Sequence, residues 1–130
     1  MHSNYLLDTH VIIWLLTQPE KLSPKVQSII LNNSNALYFS MISLWEIAIK
    51  ISLGKLILID EWHSVFQAEL QANHIYPIEL NWAAIQIVEK LPFHHRDPFD
   101  RMLIAQAISK EFDFISADQY CPAYALNVIW

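Results

Sequence analysis

Short apolar runs alternate along this chain with longer stretches in which apolar residues recur at helical spacing. Tyr5-Leu6-Leu7 reads as a buried strand ending at Asp8, and Val11 to Leu16 as a helix broken at Gln18-Pro19. Ser23 stands as an N-cap with Pro24 at the first helical position, opening a helix to about Leu31. After the polar loop Asn32-Asn33-Ser34-Asn35 comes a second strand, Ala36 to Phe39. Ser43 begins a helix carrying Leu44, Trp45, Ile47, Ala48, Ile49 and Ile51, which Gly54 stops. Asp60 starts another, with Trp62, Val65, Phe66 and Leu70. Ile75 to Ile78 is a third strand, Asn81 caps a helix to about Glu89, and Leu91 to Arg96 is a loop. Asp97 starts a long helix to about Glu111. Phe112 to Ser116 is a fourth strand ending near Asp118, and Asn127 to Trp130 forms a last, edge strand.

Strands alternating with helices predict βαβ units. The expected fold is α/β, three layers in the order α/β/α around a mainly parallel central sheet of four to five strands. Ligands of such sheets bind beyond the carboxyl ends of the strands. Asp8 follows the first strand and Asp118 the fourth, while Glu46 and Asp100 fall in first helical turns. All four can therefore face one edge of the sheet. Acids brought together from four parts of a chain need a counter-charge, and a divalent metal is the usual one.

Composition narrows the classes. The 130 residues suit one domain, with residues 1–130 as a single unit and no linker or repeat. Hydrophobic residues make up 54% and mean hydropathy is +0.24, yet the longest wholly apolar run, Val11 to Leu16, is too short to cross a bilayer. The opening Met1-His2-Ser3-Asn4 lacks the basic start of a secretory signal, and the lone Cys121 allows no internal disulfide; both suit a reducing cytoplasm. The excess of apolar residues, with five Trp, fits either a Trp-rich core or a protein–protein surface. A net charge of −5 argues against diffuse electrostatic binding of nucleic acid, although an acidic metal site would itself supply much of that charge.

Each acid has a plainer reading. Asp8-Thr9-His10 can be a helix cap with polar neighbours, and Ser43-x-x-Glu46 matches a capping box. Asp97 is placed as an N-cap, with Pro98 at N1 and Asp100 at N3. Asp118, before Gln119, can be a turn residue. His94-His95 does not make a zinc site, because adjacent side chains point apart and no Cys lies nearby. Cys121-Pro122 has no evident base, and Gly54, the only glycine, leaves no phosphate-binding loop.

The stretches Leu6-Leu7-Asp8-Thr9-His10-Val11-Ile12-Ile13-Trp14, Ser43-Leu44-Trp45-Glu46-Ile47-Ala48-Ile49-Lys50, Asp97-Pro98-Phe99-Asp100-Arg101 with Ala105-Gln106-Ala107, and Ile115-Ser116-Ala117-Asp118 occur in that order. With them the chain resembles the PIN domain, and most closely the VapC-like toxins of type II toxin–antitoxin pairs. The resemblance implies an endoribonuclease dependent on one or two Mg²⁺ or Mn²⁺ ions. The family's four acids carry over onto Asp8, Glu46, Asp100 and Asp118 as catalytic metal ligands. Thr9 and Ser116 would support them through hydroxyl hydrogen bonds, and Asp97 is either an extra acid or a helix cap. Arg96 and Arg101 are placed to contact RNA phosphate or to pair with a nearby acid. The implied partners are RNA, a cognate antitoxin and a second copy in a homodimer, with no membrane. Trp14, Trp45 and Trp62 on adjacent early helices are candidates to line an antitoxin groove. Ala125-Leu126 and Cys121 depart from the family pattern near the last strand. The alternative from another class is a non-catalytic PIN-type binding module whose acids are helix caps.

Overall fold

The computed structural model describes residues 3–130. Five strands, β1 (Asn4–Leu7), β2 (Ala36–Ser40), β3 (Ile75–Ile78), β4 (Asp113–Ile115) and β5 (Val128–Ile129), form one sheet in the order β3-β2-β1-β4-β5. Every pairing is parallel. The helices are α1 (Thr9–Thr17), α2 (Pro24–Leu31), α3 (Met41–Ser52), α4 (Trp62–Ala72), α5 (Trp82–Lys90) and α6 (Pro98–Lys110). This is the expected α/β architecture.

Alternation along the strands divides the core in two. Tyr5 and Leu7 join Val11, Ile12, Val26, Ile47, Phe66 and Leu70, from the helices α1 to α4. Leu6 and Phe114 join Ala84, Leu103, Ile104 and Ala107 from α5 and α6. Because both faces are covered, β1 needs no polar face, and Leu6 and Leu7 are both wholly buried. Each such Leu contributes about 1.5–3 kcal/mol by leaving water.

Local signals set most of the element ends. Ser23 Oγ accepts from Val26 N at 3.2 Å and Asn81 Oδ1 from Ala84 N at 2.9 Å, so both expected caps form. After α3, Gly54 takes φ +71° while its N–H bonds Ile51 O and that of Lys55 bonds Lys50 O, at 3.0 and 2.8 Å. That is a Schellman termination, and glycine is the residue that enters it without strain.

The start of α3 differs from the sequence reading. The helix begins at Met41, and its cap is Ser40, whose Oγ accepts from Ile42 N at 3.1 Å. Ser43 is inside the helix and fully buried, because Thr9 Oγ1 donates to its Oγ at 2.9 Å. A tertiary hydrogen bond takes the serine that the local pattern had assigned to capping.

β1 lies at the centre, with β2 and β3 on one side and β4 and β5 on the other. The chain changes direction of travel across the sheet between β1 and β4, so a crevice opens beyond their carboxyl ends.

Candidate metal centre

Asp8 leaves the end of β1 and caps α1. Its Oδ1 accepts from Thr9 N at 2.7 Å, and its Oδ2 accepts from Ser116 Oγ, also at 2.7 Å. The same Ser116 oxygen accepts the N–H of Asp118 at 3.1 Å. One hydroxyl thus ties the acid after β1 to the acid after β4. On the other side, the Thr9–Ser43 bond fixes α3 against α1, and Glu46 follows Ser43 by three residues on that helix.

Glu46 lies well beyond the first turn of α3, which removes capping as an account of it. It is 2% exposed; Oε2 accepts from Lys50 Nζ at 2.6 Å, and Oε1 has no hydrogen-bond partner. An unpartnered buried carboxylate oxygen is costly unless something positive meets it.

α6 delivers Asp100. Asp97 caps this helix, its Oδ1 accepting from Phe99 N at 2.8 Å and Asp100 N at 3.3 Å. Ser40 Oγ donates to Gln106 Oε1 at 2.6 Å, which locks α6 to the end of β2. Burial pushes the Asp100 carboxyl up to about 8, reinforced by the negative charges of Asp8, Asp97, Glu46 and Asp118. Burial also raises Asp8 above the usual carboxylate range, against the hydrogen bonds from Ser116 and Thr9. The four acids read from the sequence do come together, and they repel one another.

The two arginines part company. Arg96 is exposed. Arg101 is 6% exposed, and its guanidinium donates to the carbonyls of Pro92, Leu91, Val88 and His95 at 2.9–3.3 Å while stacking on Phe93. With those donors committed to the end of α5 and the loop before α6, Arg101 is a clamp on that segment and is not placed to meet RNA phosphate. Among the described residues, Lys50 is the lysine that reaches the acids.

Trp62 links the other two tryptophans, lining one groove with Trp14 and a second, of about 320 Å³, with Trp45. Trp14 and Trp62 line a groove of about 860 Å³ together with His10, Lys21, Lys50 and Ile57. Trp45 is 58% exposed and meets Phe99 edge-on, with ring centroids 5.2 Å apart, outside that groove. Cys121 is buried and its thiol is pushed up to about 12, chiefly by that burial, so it is no nucleophile.

One participant was not found from sequence. His95 places Nε2 at 2.9 Å from Asp100 Oδ2 and 2.8 Å from Asp118 Oδ2. His94 turns the other way, its ring 5.1 Å from that of Tyr124. Adjacent side chains point apart, as the rejection of a zinc site assumed, and that divergence is what sends one imidazole into the acidic cluster.

A family model for the PIN domain matches residues 5–125. The chain belongs to the PIN domain family. Among solved structures it is similar to VapBC2 from Rickettsia felis bound to a DNA fragment from its promoter, with a TM-score of 0.73 at 14% identity, covering 97% of each chain. DNA-bound VapBC from Salmonella typhimurium aligns with a TM-score of 0.72 at 16% identity, over 98% of this chain and 97% of that one. A toxin–antitoxin complex from Klebsiella pneumoniae gives 0.64 at 16%, over 97% and 96%. At these identities the likeness is one of fold. No curated protein matches the sequence significantly.

The donor set of this PIN domain fits a hard divalent cation. It offers carboxylate oxygens from four segments, with the unpartnered Glu46 Oε1 among them. Asp100 and Asp118, together with His95, bring donor atoms within 4.8 Å of one another.

Proposed function

We propose that this PIN domain is a metal-dependent endoribonuclease, the toxin of a toxin–antitoxin pair. The observation that carries this is the convergence of Asp8, Glu46, Asp100 and Asp118 at the switch point of the sheet, with Glu46 Oε1 buried and unpartnered and the Asp100 carboxyl pushed up to about 8 by burial first and by the neighbouring acids second. A fold does not retain such a cluster for stability, and one or two Mg²⁺ or Mn²⁺ ions would neutralise it. Bound there, the metal would supply an activated water and charge stabilisation at the scissile phosphate.

The chain's own residues would then do the following. Asp8, Asp100 and Asp118 hold the ion, and Glu46 Oε1 binds it or orients water. Thr9 and Ser116 keep Asp8 aimed through the bonds described above. Lys50 and the exposed Arg96 meet the phosphate chain. A cleft of about 320 Å³ lined by Phe93, Arg96 and Tyr120 offers aromatic faces to an unstacked base.

The toxin assignment draws support from the folds of the VapBC and toxin–antitoxin complexes. The groove from His10 and Lys50 to Phe66 reaches the acids through Lys50, so an antitoxin segment lying there would cover the site. Pairing into a homodimer and residence in the cytoplasm belong to the same proposal. Among the described residues, no helix is long and apolar enough to cross a membrane.

The deciding experiment is cleavage of total and transfer RNA by the purified protein with Mn²⁺, with EDTA, and by Asp100→Asn. Discrete fragments that need both metal and Asp100 support the proposal. Intact RNA together with no Mn²⁺ binding overturns it in favour of a binding module.

A further inference from the structure

His95 stands among metal-binding acids, and its Nε2 is close enough to both Asp100 and Asp118 to share an ion with them. The hydrogen bonds around the ring point elsewhere. Nδ1 accepts the backbone N–H of Asp97 at 3.1 Å. A peptide N–H can only donate, so Nδ1 must present its lone pair, and the proton of the neutral ring sits on Nε2. Nε2–H then faces two carboxylate oxygens, at 2.8 and 2.9 Å. A histidine that ligates a metal has the opposite arrangement: the free nitrogen binds the ion and the other donates its N–H to a carboxylate or carbonyl.

The ring has little room to turn over. The N–H of His95 donates to Tyr124 Oη at 2.8 Å, and that hydroxyl donates to Pro92 O at 2.8 Å. His95 O accepts from Arg101 at 3.3 Å, and the Tyr120 ring lies 5.4 Å from the imidazole. The loop, the Arg101 clamp and Nδ1 all hold one orientation.

We infer that His95 is a positioning residue and not a metal ligand: as the Nε2–H tautomer it draws Asp100, on α6, and Asp118, after β4, onto one proton. This rests on the nuclease reading, since the two acids are the ligands it would set. Each Oδ2 keeps a second lone pair. On Asp118 the other oxygen is steadied by Tyr120 N at 2.8 Å. The carboxylates of two separate elements thus reach the ion already oriented, and the sequence motifs for the acids do not encode that.

The test begins on wild-type protein labelled with ¹⁵N-histidine. Long-range ¹H–¹⁵N spectra read the His95 tautomer without metal and with Mg²⁺, and the expected result is Nε2–H in both. With the ring neutral, a proton on Nδ1 in place of Nε2 in either state overturns the inference. Pulsed electron paramagnetic resonance of the Mn²⁺-loaded protein should show no directly coordinated imidazole nitrogen, and finding one also overturns it.

Variants supply the functional arm. His95→Leu keeps bulk without a donor and should weaken Mn²⁺ affinity about 10- to 100-fold, the usual cost of losing a group that orients a ligand. His95→Gln restores an N–H at similar reach and should recover most of that loss. Equal loss in the two folded variants counts against positioning by hydrogen bond. If wild-type protein binds no Mn²⁺ and cuts no RNA, the nuclease reading falls, while the metal-free spectrum still decides the tautomer.

Discussion

Asp8 and Glu46 are 3% and 2% exposed, whereas the side chains of Asp100 and Asp118 keep 14% and 26% of their surface open. The buried pair sits on rigid elements, the end of β1 and the second turn of α3. It is aimed by Ser116 and Thr9, and one of its oxygens has no partner. The open pair sits at a helix start and in a loop, and it is gathered by His95. The first half is preorganised by packing and left short of hydrogen bonds. The second half is preorganised by hydrogen bonds and left wet. Lys50 meets one oxygen of Glu46, so what the first half still offers a cation is Glu46 Oε1, and a substrate with its water can reach only the second half.

The largest effect should come from the buried half. Asp8→Asn keeps the shape and an acceptor for the helix cap, yet removes the charge nearest the centre of the sheet. Single-turnover RNA cleavage should fall on the order of 10³-fold. The metal-free melting temperature should hold or rise, because burial already opposes ionisation of Asp8. A fall in melting temperature with cleavage intact would make Asp8 a cap and erase the contrast between the halves.

Next is the support of the open half. Arg101→Lys retains a charge but cannot reach four carbonyls with one ammonium. Stability in urea should drop by about 3 kcal/mol, since buried carbonyls lose charged partners. The salt dependence of RNA binding, measured on the folded fraction, should stay as it is. A flatter salt dependence without lost stability would return Arg101 to the phosphate.

Arg101 also shows where sequence stops being informative. The mainly parallel sheet covered on both faces and the convergence of Asp8, Glu46, Asp100 and Asp118 follow from apolar runs and from acids placed near their ends. These are local signals that topology then gathers, whereas no local pattern gives the order β3-β2-β1-β4-β5. The fate of Arg101 depends on where the carbonyls of residues 88–95 point, which no local pattern carries. Ser43 misled for the same reason, since its hydroxyl was taken by Thr9 from 34 residues away. His95 was visible as half of a His-His pair, but its value lies in one ring meeting two acids from other segments.

A smaller effect should appear in pH titration of the metal-free protein. The folded Asp100 carboxyl titrates near 8, against an ordinary value of 3.8. Between those values the folded state keeps a proton that the unfolded chain has lost, so stability falls as pH rises and levels off above about 8. The contribution is complete below the ordinary value and is lost on passing through the folded one. Melting in EDTA from pH 5 to 9 should show this decline in wild type relative to Asp100→Asn. Mn²⁺ should flatten it by replacing the proton. Parallel curves for the two proteins would mean that neither burial nor the other acids raises Asp100.

The smallest expected effect separates the two readings of Asp97. Its Oδ1 holds the first N–H groups of α6, and its charge is among the causes that raise Asp100. Asp97→Asn keeps a good capping acceptor and deletes the charge, so stability should change by no more than about 0.5 kcal/mol, whereas Asp97→Ala should lose about 1 kcal/mol. If Asp97 is only a cap, Mn²⁺ affinity of the Asn variant should stay within about threefold of wild type. Asp100 should also titrate lower, because one repelling charge is gone. A much larger loss of Mn²⁺ binding in the Asn variant, with α6 intact, would add Asp97 to the ligands. The open half of the site would then hold three acids against two, and a second ion would have its natural place there, on the side that substrate enters.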